Sequence, residues 1–198
     1  MNHTLSRKQF DVLVLLEKER AALTQRKIEE KTGYSLGTVN KTIQELTEAG
    51  YIRDSEITNE GVSALEPYRA KRAVFIAAGF GSRMVPITFN TPKPLVRVHG
   101  KRIIDGLIDA CLEAGINEIY IVRGYLAEQF DQLHYKYPMI KFLENPVYNE
   151  ANNISSSLVA RYMLSNAYVF EADLLISNPE IITKYHYTSD FLAIKKDR

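Results

Sequence analysis

The chain has one cysteine, Cys111, among 198 residues. A single thiol excludes an internal disulfide and any multi-cysteine metal site. Its neighbours Ile104, Leu107, Ile108 and Leu112 assign it to the buried face of a helix. An excess of either charge is also lacking, since 25 Lys and Arg stand against 24 Asp and Glu for a formal charge of +1. That balance gives no global attraction to nucleic acid or to an anionic bilayer. The longest apolar runs, VLVLL and AVFIAAGF, fall far short of the roughly 20 residues that a membrane-spanning helix needs. The polar start MNHTLSRKQF has no apolar segment of signal length. Internal repeats and low-complexity tracts are missing too. The expectation is a cytoplasmic chain with no membrane partner.

What is present suffices for one large domain or two small ones, with an apolar share of 45% to build their cores. Over Ser6 to Glu19, Phe10, Leu13 and Leu16 recur at helical spacing. Thr24 is placed to cap a second helix that runs through Lys31 to Gly33. Ser35 caps a third, in which Leu36, Val39, Ile43 and Leu46 form one stripe before Gly50. YIRDSEI then alternates, and NEGVSALEPY returns to helical patterning. The strings KTGYSLGTVNKTIQELTEAGYI and ITNEGVSALEP resemble a winged helix-turn-helix of the MarR-like regulators, which implies a mainly α domain over residues 1–70. Such a domain serves either DNA binding or docking and dimerisation, so a homo-oligomer stays open. Residues 1–70 carry ten basic and eleven acidic side chains, without the basic excess of a strong DNA binder. Lys41, Asn40 and Gln44 on the third helix and Arg53 on the wing are the candidate contacts.

From Arg72 the pattern becomes alternating strands and helices, after a junction at Glu66 to Lys71 that contains Pro67. Strands are expected at Ala73–Ala78, Glu118–Val122, Ile140–Leu143, Ala167–Ala172 and Phe191–Ile194. Helices are expected at Ile103–Ala114, Ala127–Tyr137, Ser155–Leu164 and Pro179–Tyr185. This alternation predicts an α/β, Rossmann-like three-layer sandwich over residues 71–198. The run Ala73 to Ala78 has the continuous apolar character of a strand buried on both faces.

Behind that strand stands AAGFGSRMVPITFNTPKPL. Gly79 and Gly81 bare the backbone, so its N–H groups can approach a phosphate. The pattern is neither a dinucleotide fingerprint, because Met84 replaces the third glycine, nor a Walker loop, because no Gly-Lys-Ser/Thr follows. Arg83 offers a planar fork for phosphate oxygens, and Lys93, braced by Pro92 and Pro94, offers a compact positioned charge.

The whole stretch resembles the signature GxGxRxxPxTxxxPKPL of the nucleotidyltransferases that activate sugar phosphates and phosphocholine. The resemblance implies a phosphate loop of Ala78, Gly79, Gly81, Ser82 and Arg83. It makes Arg83 and Lys93 the catalytic pair that stabilises charge as a substrate phosphate displaces pyrophosphate in line. NEANNISSSLVARYML resembles the choline branch of the family, which implies CTP as nucleotide, phosphocholine as acceptor, and Asn152 and Asn153 at the base edge. As a bland alternative, Asn153 or Ser155 simply caps a helix. RGYLAEQF matches the same branch and implies that its loop, with Gly124, borders the base, unless Gly124 and Tyr125 serve only a strand-to-helix turn. Asp173, just past an apolar strand, falls where the family carries a magnesium-binding aspartate, with Glu171 as an auxiliary. The family's second metal-binding aspartate has no counterpart by motif, since Asp190 and Asp197 come too early, so the domain is expected to be C-terminally incomplete. Two other readings stand beside this one: sugar-1-phosphate nucleotidyl transfer with UTP or dTTP, and a non-catalytic regulator that senses a nucleotide.

Overall fold

The computed structural model describes residues 4–151, 153–191 and 193. They divide into two units, one formed by the described residues up to Arg69 together with those from Tyr185 onward, the other by Ala70–Lys184.

In the first unit, helix α1 (Arg7–Glu19) opens on Ser6, whose hydroxyl accepts from the Gln9 N–H while the Gln9 side chain accepts from the Ser6 N–H. This reciprocal pair satisfies two of the donors that a helix start leaves unpaired. Thr24 caps α2 (Gln25–Thr32), Ser35 caps α3 (Leu36–Glu48), and strands β1 (Ile52–Arg53) and β2 (Glu56–Ile57) form an antiparallel wing. Thr58 caps α4 (Asn59–Leu65). Phe10, Leu13, Leu16, Ile28, Val39, Leu46 and Leu65 meet in one core, whereas Leu36 at the head of the expected stripe lies exposed.

The first unit is completed by a segment that sequence patterning places elsewhere. Tyr185 is buried in this core and bridges Arg69 in antiparallel fashion. The Tyr187 ring stacks on Tyr68 at 5.6 Å, lies 5.4 Å from Phe10, and its hydroxyl donates to the Leu5 carbonyl at 3.1 Å. The helix expected over Pro179–Tyr185 is only a 3-10 turn at Pro179–Ile181, because Ile182 and Tyr185 are each taken up by a core. Phe191 and Ala193 lie in no strand, and the other two residues of that expected strand fall outside the described set.

The second unit begins with β3 (Arg72–Ile76). A short hairpin, β4 (Arg97–Val98) with β5 (Lys101–Arg102), leads into α5 (Ile103–Glu113). Then come β6 (Glu118–Arg123), β7 (Lys141–Glu144), α6 (Asn153–Val159) and β8 (Ala167–Glu171). The strands of the four-stranded sheet pair in parallel, in the order β7-β6-β3-β8. Alternation along the strands feeds two cores: Ala73, Phe75, Ile119 and Ile121 face α5, while Val74, Ile76, Tyr120 and Val122 pack with Ala160. A sheet so buried on both faces makes the expected α/β three-layer sandwich.

Between β6 and β7 the expected helix is a 3-10 helix, Ala127–Tyr135, whose buried Phe130 and Leu133 are three residues apart, the period of that tighter coil. The helix expected over Ser155–Leu164 stops at Val159 and resumes as a 3-10 turn at Arg161–Met163. Ser157 bonds back to the Asn153 carbonyl, a local contact that weakens a helix interior. Cys111 is buried in the first of the two cores, and burial pushes its thiol up to about 12. The two ends of the unit meet, the Ala70 N–H donating to the Lys184 carbonyl at 2.9 Å. Among the described residues no helix is long and apolar enough to cross a membrane.

Candidate active site

The chain lays down β6 and β7 to one side of β3, then returns to place β8 on the other. Strand order therefore reverses at β3, and the crevice at the carboxyl ends of β3 and β8 is where open α/β sheets take ligands. Two of the singled-out segments leave the sheet at that edge. The glycine loop follows β3, and Asp173 follows β8, whose Glu171 is in register with Ile76.

The loop is tied down at several points. Ala77 donates to the Val122 carbonyl at 2.9 Å, and the Ala78 carbonyl accepts from Tyr125 at 3.0 Å. Gly79 has open space where a Cβ would stand. Gly81, at φ 69°, lies in the left-handed region, and a Cβ there would sit 3.1 Å from the Thr88 methyl and 3.2 Å from Lys93 Cβ. Ser82 opens a 3-10 turn that carries Arg83 outward. Arg83 is exposed and makes no hydrogen bond or ion pair among the described residues, so its five donors are free for an anion.

Lys93 starts the turn Lys93–Leu95 between the buried Pro92 and Pro94. Its ammonium meets the Asp173 carboxylate in an ion pair. Beside it, Asn153 donates to Glu171 Oε1 at 2.7 Å, which gives that side chain a structural partner at the site's rim. Asn152 lies outside the described residues. Gly124 is a different matter: a Cβ there would stand 2.7 Å from Tyr148 Cβ and Cγ. Close packing accounts for that glycine without any ligand.

Four features escaped the sequence reading. Thr88 is fully buried and donates to the Gly81 carbonyl at 3.1 Å. Phe80 and Tyr125 meet edge to face at 4.7 Å, and the Tyr125 hydroxyl donates to the Phe89 carbonyl. Asn145, also buried, donates to the Ser155 and Ser156 hydroxyls at 3.0 Å and so anchors the start of α6. Tyr148 fills the space above Gly124. Thr88 alone had a visible signal, as the threonine of the GxGxRxxPxTxxxPKPL pattern. No group of three or more His, Cys, Asp or Glu side chains forms a metal cage among the described residues. Magnesium needs no such cage, since it keeps several waters and takes one or two carboxylates besides substrate phosphates. Asp173 and Glu171 are carboxylates of that kind at this edge, and each already has a partner, Lys93 for Asp173 and Asn153 for Glu171.

Residues 72–188, more than half of the chain, match the nucleotidyl transferase family model. The chain belongs to the nucleotidyl transferase family. Residues 3–56 match the MarR family. Among curated proteins, this nucleotidyl transferase is 46% identical over 111 residues to a 2-aminoethylphosphonate cytidylyltransferase of Lancefieldella rimae, covering 55% of the chain and 45% of that protein. It is 44% identical over 102 residues to a choline-phosphate cytidylyltransferase of Streptococcus pneumoniae, covering 52% of the chain and 44% of that protein. A solved CTP:phosphocholine cytidylyltransferase from Streptococcus pneumoniae superimposes with a TM-score of 0.53 at 42% identity, covering 55% of this chain and 47% of that one. The chain thus spans less than half the length of these relatives.

Proposed function

We propose that the unit Ala70–Lys184 works in cytidylyl transfer: CMP passes from CTP to a small phosphorylated or phosphonate acceptor, and pyrophosphate leaves. The observation that carries this reading is the convergence of the glycine loop, Lys93 and Asp173 at the reversal of strand order. CTP is favoured as donor because the relatives above are cytidylyltransferases by name. Their acceptors differ, a choline phosphate in one and an aminoethylphosphonate in the other, and phosphocholine is the acceptor we favour. The exposed Arg83 binds phosphate oxygens, and Lys93 neutralises charge that develops at the α-phosphorus, in a site whose donors are fixed before reaction. Asp173, helped by Glu171, would hold Mg²⁺, which supplies charge neutralisation to the phosphate oxygens when bound. Asn153 stands at the rim as a candidate reader of the base, and Gly124, whose missing side chain admits the Tyr148 ring, stays a candidate to border the base through its backbone.

The winged-helix unit is read as an organising or regulatory module. Lys41 faces Glu45 at 4.0 Å and Gln44 donates to Glu48 at 2.9 Å, so the third helix spends part of its polar surface on itself. The test of the main reading is pyrophosphate release with CTP, UTP, dTTP and ATP in turn, plus Mg²⁺ and either phosphocholine or 2-aminoethylphosphonate. CTP-selective, acceptor-dependent release is expected. Equal release with UTP and a sugar 1-phosphate overturns it, and tight CTP binding without release points to a sensor.

A further inference from the structure

Thr88 is 0% exposed, whereas Ile87 and Phe89 on either side of it are 56% and 55% exposed. An inward threonine between outward apolar residues inverts the usual partition of surface, so something other than hydrophobic burial sets its direction. Its hydroxyl donates to the Gly81 carbonyl at 3.1 Å, which also accepts from the Met84 N–H at 2.9 Å. Its methyl lies 3.1 Å from the point where a Gly81 Cβ would stand, and Lys93 Cβ lies 3.2 Å from that same point. Gly81, Thr88 and the lysine turn are thus in mutual contact.

We propose that Thr88 is a positioning residue that locks the phosphate loop to the Lys93 turn, an inference that rests on reading this segment as the triphosphate site. A carbonyl and the following N–H belong to one rigid plane. By holding the Gly81 carbonyl, the Thr88 hydroxyl fixes the direction of the Ser82 N–H, a donor for a phosphate oxygen. Its methyl fills the space beside Gly81 and fixes the separation between Arg83's turn and Lys93. The two cations reach the triphosphate in one arrangement instead of several, which is what an in-line displacement needs.

The test compares Thr88→Val, which keeps the shape and loses the hydroxyl, with Thr88→Ser, which keeps the hydroxyl. In the ligand-free protein, hydrogen exchange at the Met84 amide should quicken about fivefold or more in Thr88→Val and stay near wild type in Thr88→Ser. In pyrophosphate release, kcat should fall about tenfold or more in Thr88→Val with KM little changed, and Thr88→Ser should restore it. Wild-type exchange and kcat in Thr88→Val, or equal damage in both variants, overturns the proposal. If Thr88→Val does not fold, Gly81→Ala takes its place: activity lost there should be partly regained when Thr88→Ser removes the opposing methyl, and no gain overturns the proposal. Should the wild-type protein neither bind CTP nor release pyrophosphate, the triphosphate reading fails, while the exchange comparison still decides whether Thr88 holds the loop.

Discussion

Lys93 and Asp173, eighty residues apart in sequence, form an ion pair at the carboxyl edge of the sheet. Both side chains are about a quarter exposed, 24% and 30%, and pairs so close to water contribute little to stability. Asp173→Asn should therefore leave the urea unfolding midpoint close to wild type. It should lower pyrophosphate release by about a hundredfold or more, the scale of losing a preorganised charge. A large drop in midpoint with activity intact would show that the pair is structural.

Two glycines should part company. Gly124→Ala drives a methyl into Tyr148, and overpacking of that kind costs about 1–3 kcal/mol, readable in chemical denaturation. Gly79→Ala meets open space and should unfold like wild type, yet weaken CTP binding measured by calorimetry. Normal CTP affinity in Gly79→Ala would remove Gly79 from the phosphate loop.

Alkaline pH should loosen the nucleotidyl unit. Burial pushes the Cys111 thiol from 9.0 up to about 12, and burial with the hydrogen bond to Asp109 raises the Tyr137 phenol above its ordinary 10.0. The fold holds both protons more tightly than the unfolded chain does, so this contribution is complete below the ordinary values and lost as pH rises through the folded ones. The unfolding midpoint should hold level up to pH 9.0 and fall beyond it, with a shallower fall in Cys111→Ala. A thiol reagent should leave the native protein unlabelled at pH 7 and label it once it is unfolded.

The winged helix should depend on the far end of the described chain. Tyr187→Ala removes a ring from the Phe10–Tyr68 cluster together with its hydrogen bond to Leu5, a loss of about 2 kcal/mol. Residues 1–70 expressed alone should then melt below the same helices in the whole chain. An equal melting temperature would make the tyrosine segment dispensable.

Two helix caps were legible because each cap is local: Thr24 and Ser35 stand where a hydroxyl can reach an N–H three residues on. The two-sided strand Ala73–Phe75 was legible from its unbroken apolar run. Strand order was not, since no residue of β8 announces that it lies beside β3 and away from β7. That order brings Asp173 to Lys93, so the site's members were readable while their meeting was not. The signature marks Thr88, but its inward direction was hidden for a related reason: in a string of exposed apolar residues, nothing local tells that the polar one points inward. The packing reason for Gly124 was not legible, because a glycine kept for a neighbour's ring reads in sequence like a glycine kept for a ligand.

The hydrogen bond from Ala70 to Lys184 closes the nucleotidyl unit into a near-ring. A protein engineer can use that closure. A few flexible residues joining the two ends would permit new termini in an exposed loop, and the same seam offers a pair of neighbouring attachment points for seating the unit in another host.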